Sequence, residues 1–319
     1  MPIRHCTASV PVAWPTHDAD RKLSYSQLET AAPMHDSDRN TASTDVPLKP
    51  ESPAVLAKMW ALYRDYFDRA EKKRRWNVSL DIPWDKCNPN LDPAIADVVQ
   101  TFCSVELYLP DYISKLLPQV RANHGRAWML ANWGYEESKH SMALADWLLH
   151  SGHRTEEQLA DIDASVFASE WELPFDNARA MVCFTMVQEL ATWLHYKNLR
   201  LLVGEHNDPA LCQTLKLVAI DERAHADFFK KLVKIYLEDD RPGTLEQLRR
   251  VMNNFAMPAV HLLVDGRQRA EAVKALRIFD EDIFYYQVFE PLLTDLQVHK
   301  SELRRGSSRR DVMLVGATS

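Results

Sequence analysis

Glu136-Glu137-Ser138-Lys139-His140 and Asp221-Glu222-Arg223-Ala224-His225 are two copies of one pattern, an acid followed by Glu-x-x-His. Each has a further glutamate upstream at a matched distance. Glu106 lies 31 residues before Glu137, and Glu189 lies 33 residues before Glu222. One such tetrad arises about once by chance in a chain of this length. These two are the only ones here, both fall in long helical stretches, and both have their partner glutamate.

Around the tetrads the hydrophobic pattern is helical from Pro53 onward. Segments are expected over Ala54–Arg75, Ala94–Leu117, Arg126–His150, a shorter stretch after Thr155, Asp176–Val203, Pro209–Leu237, Thr244–Leu263 and Gln268–His299. Val182, Thr185, Met186, Trp193 and Tyr196 share the face of Glu189. Leu215, Val218, Ala219, Phe229 and Leu232 share that of Glu222. Buried carboxylates are rare unless paired or metal-bound, because a lone buried charge costs several kcal/mol. Four glutamates aimed at one core therefore need cations.

Connection lengths give an independent check. Glu189 is 15 residues before Gly204 and Glu222 is 13 after Pro209. At about 1.5 Å of rise per residue, both sit roughly 20 Å from their shared loop. Antiparallel neighbours would hold them at one level. Glu106 and Glu137 relate in the same way to the break expected at Pro118–Gly125. The 52 residues from Glu137 to Glu189 leave room for one long crossover. A Glu from each of two helices with Glu-x-x-His from each of the other two is the ligand set of di-iron and di-manganese carboxylate bundles. Four carboxylates and two imidazoles suit two ions that change oxidation state. Glu136 and Asp221 are expected behind the metals, each serving the ligand histidine of the opposite motif, since a metal-bound His usually donates its other N–H to a carboxylate.

Composition sets the surroundings. Of 319 residues 46% are hydrophobic, enough for a sizeable core, and the chain has only 8 glycines, which favours long helices. Seven of the 17 prolines fall before residue 54, in a Ser/Thr-rich stretch without periodicity. Residues 1–52 are expected to be disordered, 53–300 to form one metal-binding helical domain, and 301–319 to be a basic flexible tail. No apolar run is long enough to span a bilayer, which excludes membrane desaturases. Net charge of −7 disfavours nucleic acid. Five cysteines without C-x-x-C fit a reducing cytosol, and acids at Asp18, Asp20, Glu29 and Asp36 argue against a transit peptide. A cytoplasmic location is expected, with a plastid still open.

The quoted motifs, with Glu106-Leu-Tyr-Leu-Pro-Asp-Tyr112 and Gln188-Glu189-Leu-Ala-Thr192, resemble the four ligand segments of the soluble acyl-carrier-protein (acyl-ACP) desaturases, in the same order. The likeness covers roughly Trp76 to Leu237. It implies an all-α, ferritin-like bundle with two Fe2+ ions, manganese being an alternative. Glu106 and His140 would end on one ion, Glu189 and His225 on the other, with Glu137 and Glu222 bridging. Thr192 falls where that family has an active-site threonine, a candidate for proton delivery. Trp76 is similar to a tryptophan ahead of the first ligand helix. Ribonucleotide reductase small subunits would want a radical Tyr where Leu144 stands, and arylamine oxygenases a His at Val218. Rubrerythrins add a Cys-rich module, and ferritins are far shorter.

The resemblance implies an O2-dependent desaturase of fatty acid biosynthesis, acting on a carrier-bound acyl chain as a homodimer. A related oxygenase that hydroxylates or N-oxidises a carrier-bound intermediate, and a ferritin-like iron-binding protein, are the other two readings. Without a dinucleotide fingerprint or Cys cluster, electrons are expected from a ferredoxin-type donor. Acyl carriers are acidic, so a host of this charge must concentrate cations locally. The expected docking cluster is Lys72, Lys73, Arg74 and Arg75, with Arg267, Arg269, Lys274 and Arg277 as a second.

Overall fold

Helix starts follow the side-chain caps. Ser52, Asp92, Asn123, Thr155, Asn177, Asp208 and Asp240 each accept a backbone N–H from the first turn of the helix that follows. These begin α1 (Pro53–Lys73), α2 (Pro93–Glu106), α4 (His124–His150), α5 (Glu156–Phe167), α6 (Ala178–Val203), α7 (Pro209–Asp239) and α8 (Arg241–Asn254). Helix α3 (Leu109–Val120) lies between α2 and α4. After α8 come α9 (Gly266–Ala275), α10 (Glu281–Ile283) and α11 (Glu290–Leu296). The computed structural model describes residues 46–204 and 206–303, and no strand occurs among them.

Helices α2, α4, α6 and α7 form a four-helix bundle. The turn at Gly204, in the left-handed region at φ 73°, makes α6 and α7 antiparallel neighbours, and they share the most extensive contact in the molecule. Asp208 is the fully buried pin of this corner. It caps α7 and accepts hydrogen bonds from Trp147 Nε1 and the Asn88 backbone N–H, each at 3.0 Å. The stretch 151–177 with α5 is the long crossover, so α4 and α6 run parallel. Helix α1 packs across α4 and α7, and α3 covers α4 and α6. The apolar core falls into two clusters. On α4 one ends at Trp133 and the other begins at Ala143; on α7 one ends at Ala219 and the other begins at Ala226. Between them lies a polar layer.

Three expectations are corrected. The helix expected over Ala94–Leu117 is broken at Leu107–Tyr108, because Pro110 has no N–H to give to the Glu106 carbonyl. Pro118, expected to end it, lies inside α3. The long helix expected over Gln268–His299 is interrupted. Arg277 adopts φ 55°, Asp280 caps a new start with its carboxylate on the Ile283 N–H at 2.8 Å, and a π-helical turn over Phe284–Phe289 precedes Pro291. The segment expected over Thr244–Leu263 stops at Asn254, a few residues before Pro258.

Most of the segments expected to be disordered, 1–52 and 301–319, lies outside the described residues. The part that is described, from Val46, lies against the bundle. Lys49 Nζ is 2.7 Å from Asp239, and Glu51 takes a hydrogen bond from Tyr236 and pairs with the buried Arg126. Residues 46–52 thus belong structurally with α4 and α7.

Gly125 sets the height of α4 on α1. A methyl group there would fall 2.5 Å from the Met59 carbonyl carbon and oxygen. Both are backbone atoms of a packed helix and cannot step aside. Gly125→Ala is expected to lower stability by about 2 kcal/mol, read as a lower midpoint in urea unfolding at unchanged slope.

Candidate metal centre

The polar layer holds the residues that the two tetrads and their partners singled out. Glu106 comes from α2, Glu137 and His140 from α4, Glu189 from α6, and Glu222 and His225 from α7; all six are buried. Their donor atoms form two groups, Glu106-Glu137-His140-Glu222 and Glu137-Glu189-Glu222-His225, each with its atoms within 4.8 Å of one another. Glu137 and Glu222 belong to both. Each histidine turns Nδ1 toward this centre. His140 Nδ1 is 3.0 Å from Glu137 and 3.3 Å from Glu222; His225 Nδ1 is 3.0 Å from Glu137 and 3.3 Å from Glu189.

The opposite ring nitrogens meet the two neighbouring acids. His225 Nε2 is 2.9 Å from Glu136, and His140 Nε2 is 3.5 Å from Asp221, so each acid reaches the histidine of the other motif. Behind the acids stands a cationic layer. Arg74 spans both, donating to Asp221 and, at 3.3 Å, to Glu136; Arg75 donates to Glu136 at 2.5 Å. Trp76 Nε1 donates to Asp221 at 2.7 Å, and Tyr66 donates to Glu136 at 2.5 Å. On the other side Tyr196 donates to Glu106 at 2.5 Å.

The expected docking cluster divides here. Arg74 and Arg75 are only 13% and 23% exposed and point into the bundle. The physical cause is the pair of buried acids beneath them, which would otherwise lack countercharge. Lys72 and Lys73 are exposed, Lys72 pairing along the helix with Asp68 at 2.7 Å. In the second cluster Arg269 is likewise engaged, donating to Thr101 and to the Val264 carbonyl. Thr192 is half-buried one turn beyond Glu189, and its hydroxyl donates to the Gln188 carbonyl at 3.0 Å. Tyr66, Arg74 and Arg75 carried no sequence signal of an inward role, because α1 lies outside the four ligand helices. Tyr196 did carry one, since it shares the apolar face of Glu189.

Electrostatics makes the case for cations. Burial, reinforced by repulsion from Glu137 and Glu222, pushes the Glu106 carboxyl well above the usual range. Burial and Glu222 do the same to Glu189. For Glu137 burial works the same way, but the two histidines outweigh it and hold the carboxyl down at about 2. The carboxylates thus compete for two imidazoles. Glu137 Oε1, both oxygens of Glu189, Glu222 Oε1 and His225 Nδ1 are buried without a hydrogen-bond partner. Unpartnered oxygens and nitrogens converging on two adjoining points are what a pair of metal ions would satisfy, and the residues fit such a pair.

A pH dependence follows for metal-stripped protein. Glu106 and Glu189 titrate higher folded than unfolded, and so do His140 and His225, where facing carboxylates overcome burial. Their stabilising contribution is present below the unfolded values and is lost as pH rises through the folded ones. Glu136, Glu137 and Asp221 shift the other way, so theirs is lost only on acidification below about pH 4. The stripped protein is therefore expected to melt several degrees lower at about pH 8 than at about pH 5. Metal-loaded protein should show the opposite trend, because ions compete with protons for these ligands. Thermal scans with and without chelator across this range check both.

Comparison with known proteins agrees with this geometry. The profile of a fatty acid desaturase family matches residues 101–315. The chloroplastic stearoyl-[acyl-carrier-protein] 9-desaturase of Olea europaea is 29% identical over 136 residues, 42% of this chain and 35% of that protein. That of Helianthus annuus is 30% identical over 145 residues, 45% and 36% of the two chains. The match thus spans about a third of these relatives. Among solved structures, DesA2 of Mycobacterium tuberculosis H37Rv, a provisional acyl-ACP desaturase, superposes with TM-score 0.60 at 17% identity, over 78% of this chain and 98% of that one. A point mutant of an R2-like ligand-binding oxidase holding a Mn/Fe cofactor gives 0.51 at 16%, over 78% and 94%. These two show a common ferritin-like fold. With six metal-type ligands on the four bundle helices and a family profile covering most of its length, the chain belongs to the fatty acid desaturase family.

Proposed function

We propose that the protein is a di-iron, O2-dependent desaturase that places a double bond in a fatty acyl chain held by an acyl carrier protein. The observation that carries this is the apolar cavity beside the metal centre. It lies between α3, α4, α6 and α7. Trp133 is one turn before Glu137, Thr185 one turn before Glu189, and Phe229 one turn after His225, so the cavity begins one turn from the ligands. An iron-storage protein has no use for an apolar cavity at that place.

In this reading Glu106, His140, Glu137 and Glu222 would hold one iron, and Glu189, His225, Glu137 and Glu222 the other. Two irons bound there would supply O2 activation, so that one O2, two external electrons and two protons take two hydrogens from adjacent carbons and leave an alkene and two waters. The chain's own part is geometric and electrostatic. Glu136 orients the His225 imidazole through Nε2, Asp221 faces His140 Nε2 at 3.5 Å, and Arg74 locks the two acids to each other. Met129, Leu130 and Phe229 exclude water from the chain. Thr192 is the group proposed to pass protons, for which its hydroxyl must leave the Gln188 carbonyl. Electrons come from a ferredoxin-type protein. No helix among the described residues is long and apolar enough to cross a membrane.

Purified protein is expected to hold about two irons per chain, and Glu222→Ala to lose iron and activity together. With ferredoxin and its reductase, products from an acyl-ACP panel should be two hydrogens lighter than substrate. Products one oxygen heavier would instead identify an oxygenase, and O2 consumption indifferent to every acyl carrier would identify an iron-binding protein. Chromatographic mass in the same preparations tests the homodimer.

Carrier docking separates into two expected effects. Reversing the exposed pair, Lys72→Glu with Lys73→Glu, should raise the apparent KM about fivefold at low salt and leave iron content intact. Arg74→Glu should instead lower iron content, because it puts a third acid against Glu136 and Asp221. If the double reversal changes neither KM nor its salt dependence, the carrier docks elsewhere.

A further inference from the structure

The cavity is not uniformly apolar. Among its lining residues, Trp133 Nε1, Arg126 Nε and Gln119 Oε1 are each buried without a hydrogen-bond partner. Arg126 is held in place by its other nitrogens, Nη1 donating to Tyr236 at 2.5 Å and Nη2 to Glu51 at 2.9 Å. Glu51 already balances its charge, so the remaining Nε–H is suited to a neutral oxygen rather than a second carboxylate. Trp133 offers another donor and Gln119 an acceptor. Trp133 is 4 residues and Arg126 is 11 residues before Glu137 on α4. At the helical rise these are about 6 and about 16 Å along the bundle from the ligands. A plain alkyl chain in this cavity would strip water from all three groups and return nothing.

We propose that the chain accommodated here carries a neutral oxygen, a hydroxyl or oxo group, between one and three helical turns from the metal centre. Trp133 and Arg126 donate to that oxygen, and Gln119 accepts from it where it is a hydroxyl. This rests on the acyl desaturase reading and narrows its substrate class to oxygenated acyl groups. A carrier's prosthetic arm, polar along its length, suits the cavity less well. Leu116, Val120, Met181, Val182 and Leu232 make the rest of the wall apolar, which fits a hydrocarbon bearing one polar point.

The test compares kcat/KM of the iron-loaded enzyme for pairs of acyl-ACP substrates of equal length, saturated or bearing one hydroxyl or oxo group at successive positions. The expected result is a preference of about tenfold for the oxygenated member at the matching position. Trp133→Phe, which keeps the ring but removes the N–H, should cut that ratio severalfold, and Gln119→Leu should do so for the hydroxylated members, both at unchanged iron content. A native enzyme that prefers the saturated member overturns the inference, and so does a ratio that neither variant moves. Both outcomes leave the desaturase reading standing. Failure to turn over any acyl carrier substrate overturns that reading and this inference with it.

Discussion

Four carboxylates and two imidazoles share one dry layer across the middle of the bundle, and the rest of the structure answers to the resulting charge. Such a layer cannot be held together by hydrophobic burial. It divides the core into two apolar clusters, each of which packs its own end of α4, α6 and α7. Two metal ions would satisfy the unpaired oxygens of Glu137, Glu189 and Glu222 at once without further protein groups. The side-chain caps and the buried Asp208 corner define the helix ends independently of the metals. The ligands can therefore be held near their working positions before the ions arrive.

Charge is then layered outward. Glu136 and Asp221 present their oxygens to the two histidines, and Arg74 joins the acids from behind. Removing Arg74 would leave Asp221 without its arginine and Glu136 with Arg75 alone. This explains why a basic run at the end of α1 turns inward although its sequence neighbours Lys72 and Lys73 face solvent. Trp76 and Tyr66 complete the arrangement by donating one hydrogen bond to each acid. The two halves of the site are alike in architecture but differ in chemistry, indole on one side and phenol on the other.

Much of this was legible in the sequence because its signals are short-range. The i, i+3 spacing of Glu and His and the acid beside each tetrad survive reading one helix at a time, and the matched distance to an upstream Glu links each tetrad to a second helix. The parts that were not legible depend on what two helices do to each other. Nothing within Lys72–Arg75 says which cations meet solvent, since that is decided by Glu136 and Asp221 on other helices. The break after Glu106 was available in Pro110, and the interrupted C-terminal segment in the Asp280-Glu281-Asp282 cap and Pro291; long apolar periodicity masked both. The unpartnered groups of Gln119, Arg126 and Trp133 become visible only once α3 and α4 define a shared cavity.

Helix α4 ties the fold to the chemistry. On one face, within five turns, it carries the anchored Arg126, Trp133, and the ligands Glu137 and His140. The cavity donors and ligands that α4 supplies are thus held at fixed spacing by one helix. Its height against α1 is set where Gly125 meets the Met59 backbone, and α1 in turn carries Tyr66 and leads into Arg74 behind the acids. A shift of α4 along its axis would carry Glu137 and His140 away from the ligands on α2, α6 and α7 and would separate Glu136 from Arg74 and Tyr66. The register of the α1–α4 contact therefore bears on the orientation of the His225 imidazole through Glu136, while the spacing of Arg126 and Trp133 from Glu137 and His140 is set within α4 itself.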